Sequence, residues 1–219
     1  MKIKIQMPQG LEDITLREYQ KYDRVLNTNV DDKNSERFIQ VKMVEIFCGI
    51  TYEQAAAMTL NDFNRVVTEL TDILLQEPKL VRTFQLGQTT FGFVPDLENI
   101  TFGEYIDLDN FIGKVNELHK AMSVLYRPVI QQRGEKYIIQ EYKGDLLHEV
   151  MLDMPMDAVV SSMLFFYNLG IELSSVMMNY TTDPELAKHR QQLEALAKNG
   201  VGTRVYTNWH KEILGDLMK

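Results

Sequence analysis

Three short motifs constrain this chain more than any other feature. Thr15-Leu16-Arg17-Glu18, Thr51-Tyr52-Glu53-Gln54 and Thr101-Phe102-Gly103-Glu104 each place a threonine three residues before a Glu or Gln. In that spacing the hydroxyl oxygen accepts from a first-turn amide, and the longer side chain reaches back to the threonine N–H. Each motif therefore predicts a helix start. Ser35 and Thr59 add two single-residue caps. A chain with so many helix starts in its first half is expected to be mainly α.

Apolar spacing fills in the elements. A helix is expected from Thr15 to about Leu26, followed by a surface loop over residues 27–34. The next helix carries Phe38, Val41, Val44 and Phe47 and ends at Gly49, a residue that enters the left-handed conformation cheaply. A short helix runs from Thr51 through Met58. Another starts at Thr59, with Phe63, Val66, Val67, Leu70, Ile73 and Leu74 on one face, and Pro78 closes it. Further on, Asp109 is expected to begin a helix with the stripe Phe111, Ile112, Val115, Leu118, Met122 and Leu125, stopped by Pro128. Asp145 caps a short helix through Leu152, and Pro155 breaks it. A long helix covers residues 156–180. Asp183-Pro184 starts another, Asn199-Gly200 stops it, and a last helix covers about 208–218.

Strand signals are fewer. Ile3, Ile5 and Met7 share one face of a short strand that Pro8 and Gly10 end. Residues 80–86 and 89–94 are rich in β-branched and aromatic side chains around Gly87-Gln88, which reads as a hairpin. Val129-Ile130 and Tyr137-Ile138-Ile139 suggest a second hairpin around Gly134. The expected fold is mainly α with two small β-hairpins (α+β), a helical bundle with short antiparallel strands. A boundary near residue 78 would divide an N-terminal strand and helical region, 1–78, from a hairpin-containing helical region, 79–219. No linker composition marks it, so one continuous domain is the alternative.

Composition narrows the function classes. At 219 residues and 45% hydrophobic content, a chain buries roughly 70% of the surface its unfolded form exposes and needs no covalent staples. The net charge of −8 disfavours non-specific attraction to nucleic acid or to an anionic membrane. No run of 18 apolar residues exists to span a bilayer. The single cysteine, Cys48, lies in an apolar run and reads as a buried structural thiol.

Chemistry is scarce. The four histidines, His119, His148, His189 and His210, form no pair at helical spacing and are expected as surface or partly buried helix residues. Asp107-Leu108-Asp109 lacks the glycine and the final glutamate of a calcium loop and reads as helix-terminus acid. Glu18, Asp62 and Glu104 are first-turn residues that satisfy orphan amides. No phosphate loop, dinucleotide fingerprint or nucleophile elbow occurs. Catalytic, cofactor-binding and metal-binding residues are therefore expected to be absent.

Twelve methionines point instead to protein contacts, because methionine adapts to irregular apolar surfaces. They gather late, with Met151, Met154, Met156, Met163, Met177 and Met178. The stretch Met163-Leu164-Phe165-Phe166-Tyr167 is apolar on every side of a helix. Such a helix is either deeply buried or shared with a partner. The candidate partner-binding residues are Met156, Met163, Phe165, Phe166, Tyr167, Met177 and Met178.

Residues 100–108, then Leu118-His119-Lys120 and Leu125-Tyr126-Arg127-Pro128, resemble a layout in tailed-bacteriophage morphogenesis proteins. Met154-Pro155-Met156-Asp157 ahead of Phe165-Phe166-Tyr167-Asn168 is similar to the same group. The chain resembles tail-assembly chaperones most. That resemblance implies a non-enzymatic protein that binds tape-measure, tube or portal-proximal subunits, in the host cytoplasm during assembly. The second hairpin and the C-terminal helix pair do not fit the chaperone layout. They leave open a structural virion subunit, such as a head–tail connector ring or packaged protein, and homo-oligomerisation with it. An enzyme with a spatially assembled site is the remaining alternative.

Overall fold

The computed structural model describes residues 5–28, 35–97 and 99–181, with side chains up to residue 168. The predicted helices beyond Asp183 lie outside the described residues. The chain is an α+β fold in which helices pack around one small four-stranded antiparallel sheet.

All three capping boxes form. The Thr15 N–H donates to the Glu18 carboxylate at 2.8 Å, and the Glu18 N–H donates to Thr15 Oγ1 at 3.2 Å. They start α1, Leu16–Thr28. Helix α2, Ser35–Cys48, stops at Gly49, whose φ of 62° is the left-handed value a side chain would resist. Thr51 opens α3, Tyr52–Ala56, and Thr59 opens α4, Leu60–Leu74. Helix α4 buries Phe63, Val66, Leu70, Ile73 and Leu74, as its spacing predicts. Phe38 departs from the expected stripe of α2. It is exposed, and the Lys42 ammonium lies 5.7 Å from its ring centre.

Both hairpins form, and they join. Strands β1, Thr83–Leu86, and β2, Thr89–Phe93, turn at Gly87. Strands β3, Tyr126–Arg133, and β4, Lys136–Ile139, turn at Gly134. The sheet order is β1-β2-β3-β4. Phe84, Phe91, Phe93 and Tyr126 cluster on its core face, Phe84 stacked on Phe91 and Tyr126 tilted against Phe84 and edge-on to Phe93, with neighbouring ring centres 5.2–5.6 Å apart. Pro128 was expected to stop a helix and instead lies inside β3. It pairs with Phe91 as the last residue on β2, and Val129 begins the ladder to β4. It lies next to the register irregularity between Val129 and Gln131, the kind of place in a sheet where a proline is tolerated.

Three expectations are corrected. Residues 5–7 form no strand among the described residues, and residues 1–4 lie outside them. Asp109 does not begin a helix. It lies within α5, Phe102–Phe111, which Thr101 caps. The predicted long stripe is divided between α5 and α6, Leu118–Leu125, by a reversal at 112–114 and a single 3₁₀ turn, Val115–Glu117. Gly113 inside the stripe weakens a continuous helix there, and the reversal lets α5 pack on α6. Asp145 makes no cap. It sits within a 3₁₀ turn, Gly144–Leu147, that leads into α7, His148–Met151.

Helix α8, Met156–Thr181, matches the long predicted helix. Its start is stitched to the N-terminal segment: Met156 N–H donates to Ile14 O at 2.8 Å, and Leu16 N–H donates to Met154 O at 2.9 Å. Buried residues from both sides of residue 78 belong to one hydrophobic cluster, from Leu11 to Met163. Among the described residues no helix is long and apolar enough to cross a membrane.

Candidate partner-binding groove

The first turns of α8 fix the extended segment 77–82 beside it. Val81 N–H donates to Ser161 Oγ at 3.1 Å. From the other side the Tyr126 hydroxyl donates to Val81 O at 2.7 Å and lies 3.3 Å from Ala158 O. Burial pushes the Tyr126 phenol far above its ordinary range, so it stays a neutral donor. This three-way junction is closed.

Past the junction the helix and the extended segment part. A hollow of about 450 Å³ opens between Pro78, Lys79 and Leu80 on one wall and Leu164, Phe165 and Tyr167 on the other. A second hollow of about 440 Å³ continues it toward the β3–β4 turn, past Arg82, Val94, Lys136 and Tyr137. Leu80 and Phe165 line both, so the two hollows adjoin at these side chains and are together called the groove. Phe165 is held from beneath by Phe93, edge to face at 5.7 Å, and lies 5.4 Å from Phe166. The Tyr137 hydroxyl donates to Phe93 O at 2.8 Å, which fixes the turn-side wall. The exposed Glu77, Lys79, Arg82, Glu135 and Lys136 set charges of both signs along the rim.

The candidate residues read from the sequence divide sharply. Met156 and Met163 are 2% and 1% exposed, inside the core, so the expectation that they touch a partner is corrected. The packing that closes over them is the core cluster itself, which also encloses Met122, Met151 and Met154. Phe165, Phe166 and Tyr167 are half-buried, and Phe165 and Tyr167 line the groove. Met177 and Met178 belong to α8, but their side chains lie outside the described residues. The opposite wall, residues 77–82, carries no partner-binding signal in the sequence. Pro78 reads as the end of a helix and residues 80–82 as the start of the first hairpin strand, which in the structure begins only at Thr83.

Several other side chains singled out by the sequence have structural places. Cys48 is buried, and burial pushes its thiol up to about 11, which keeps it protonated and unreactive. Asp107 and Asp109 are not terminus acids; they lie in the second half of α5, and Asp107 accepts from the Tyr142 hydroxyl at 2.8 Å. Glu104 serves the cap as predicted and also pairs with Arg127 at 2.7 Å. His119 and His148, separate in sequence, come together with ring centres 6.4 Å apart. His189 and His210 lie outside the described residues. Among the described residues no three metal-ligating side chains converge.

Comparison with protein-family profiles, characterised proteins and solved structures finds no significant match to the chain.

Proposed function

We propose that this chain is a non-enzymatic assembly protein of a tailed bacteriophage, and that it holds an apolar segment of a tape-measure or tube subunit in the groove between residues 77–82 and α8. One observation carries the contact reading: Leu80 and Phe165, only partly buried where they pack on the core, line two adjacent open hollows, and Leu164 and Tyr167 line one of them. Large half-buried aromatic side chains in a concave site are the usual anchors of protein recognition. The phage context is supported by the resemblance in residues 100–128 and 154–168.

A holding role would keep the partner's apolar segment from self-association until assembly. Co-expression of this chain with the tape-measure and tube subunits of the same genome tests it. The expected result is a soluble complex carrying one of those subunits, and its loss when Phe165 and Leu164 become Asp. Mass spectrometry of purified particles separates a holding factor from a virion subunit. Absence from the particle is expected here; stoichiometric presence would replace the chaperone reading with the ring or packaged-protein reading.

A further inference from the structure

The His119 and His148 rings meet where α6, α7 and α1 converge, and the hydrogen bonding there dictates which protonation state the site accepts. The Gln20 side-chain amide nitrogen lies 2.7 Å from Val115 O and 3.2 Å from His119 Nδ1. A carbonyl can only accept, so the Val115 contact fixes the amide with its NH₂ toward both groups. His119 Nδ1 must then accept, and the ring proton sits on Nε2. Any further proton has to enter at Nδ1, facing an NH₂ that cannot accept it. His148 stands perpendicular to His119 at 6.4 Å, with its Nε2 buried and without a hydrogen-bond partner. The Phe111 ring from α5 closes on the far side of His148 at 5.9 Å.

We infer that His119 and His148 form an acid-sensitive latch, which clamps the α7 turn onto α6 and α1 at neutral pH and releases it on acidification. Burial and Lys120 favour release, and Glu149 and Glu117 oppose it less strongly. From its own helix and the turn before it, His119 faces Lys120 and Glu117; from α7 it faces His148 and Glu149; from α1 it meets the neutral Gln20 amide. Glu117 is already engaged by Lys114 and Lys120, each at 2.9 Å, so it is a poor counterion for a new cation. Burial, then Lys120 and then His148, hold the His119 pKa below the ordinary histidine value. A base whose pKa is lowered by folding binds more protons when the site is open. Stability of the closed site is therefore complete above about pH 6.5 and is lost as the pH falls through that value toward the depressed one.

The released element is well placed to matter. The chain after α7 runs directly into the segment that accepts from Leu16 and Arg17 and then into α8. Opening the latch loosens the entry to the helix that forms one wall of the groove.

Hydrogen exchange of the full chain, corrected for intrinsic rates, reads the latch. From about pH 7.5 to about pH 5, protection of the Leu152, Asp153 and Met154 amides, which donate to α7 carbonyls, is expected to fall on the order of tenfold. Protection of Leu70 in α4 should hold. His119→Gln and the double variant His119→Gln/His148→Gln should each flatten the pH dependence, while His148→Gln, which leaves the His119 imidazole beside Gln20, should retain a pH-dependent loss. A glutamine at 119 still offers an oxygen that can accept from Gln20, so the single variant serves if the double variant does not fold. Unchanged protection of these amides in the wild type, or the same pH-dependent loss in His119→Gln, would overturn the inference.

Discussion

The Arg127 guanidinium lies 2.7 Å from the Glu104 carboxylate, and the two side chains are only 9% and 5% exposed. The other oxygen of the same carboxylate accepts the Thr101 N–H at 2.6 Å. One glutamate therefore caps α5 and ties it to β3. Arg127 Nε has no partner, so the pair is held by few bonds for its depth. Glu104→Gln keeps the reach to Thr101 but leaves a buried cation without its counterion. It should cost about 3–5 kcal/mol. Glu104→Gln/Arg127→Met should recover much of that loss, since the burden is the unpaired charge. Urea denaturation of the three proteins measures both. A single variant within 1 kcal/mol of wild type would show that the pair is not sealed from water.

Gly92 gives a second test, this one of packing. A Cβ there would lie 2.6 Å from Tyr137 Cε2 and 3.0 Å from Val129 Cγ2, because the Tyr137 ring crosses directly over the glycine. Gly92→Ala should destabilise by about 1–3 kcal/mol through overpacking. Gly92→Ala/Tyr137→Ala should be less than additive, since removing the ring opens the space. Thermal melts of the set read the coupling. Strict additivity would mean that the ring lies elsewhere in solution.

The helix starts and hairpin turns were legible because each is written in a few adjacent residues. Thr15, Thr51 and Thr101 cap by accepting the N–H three residues along, and Gly87 and Gly134 turn by their own conformational freedom. The division between α5 and α6 was not legible. Phe111, Ile112, Leu118, Met122 and Leu125 keep helical phase across the reversal, because both helices face the same core. The groove was half legible. Phe165 and Tyr167 stood out as apolar residues all around a helix, but the facing wall at residues 77–82 is brought there by the sheet. The histidine latch was invisible, since nothing in local spacing links His119 to His148.

The late methionines behave as core, and this is measurable. Met163→Ala should cost about 2–5 kcal/mol, because a side chain 1% exposed leaves a cavity that the helix cannot collapse around. A loss below about 1 kcal/mol in urea titration would place Met163 outside the core, as the partner-sharing alternative required.

Cys48 should report global unfolding. With its thiol buried and pushed up to about 11, reaction with an aromatic disulfide reagent near pH 8 requires the chain to open first. The labelling rate should rise with urea in parallel with the unfolding transition. Rapid labelling of the native protein would contradict the closed packing between α1, α2 and α4.

The central claim is that the trough between residues 77–82 and α8 receives another polypeptide. A photo-cross-linking amino acid at Tyr167, in the chain co-expressed with the tape-measure and tube subunits, tests it at the site. The account predicts a cross-linked adduct to one of those subunits. The adduct should disappear when Leu80 and Phe165 become Asp, and it should be absent when the cross-linker is moved to Tyr52, which is exposed outside the groove. Equal cross-linking at both positions, or none at Tyr167, would contradict it.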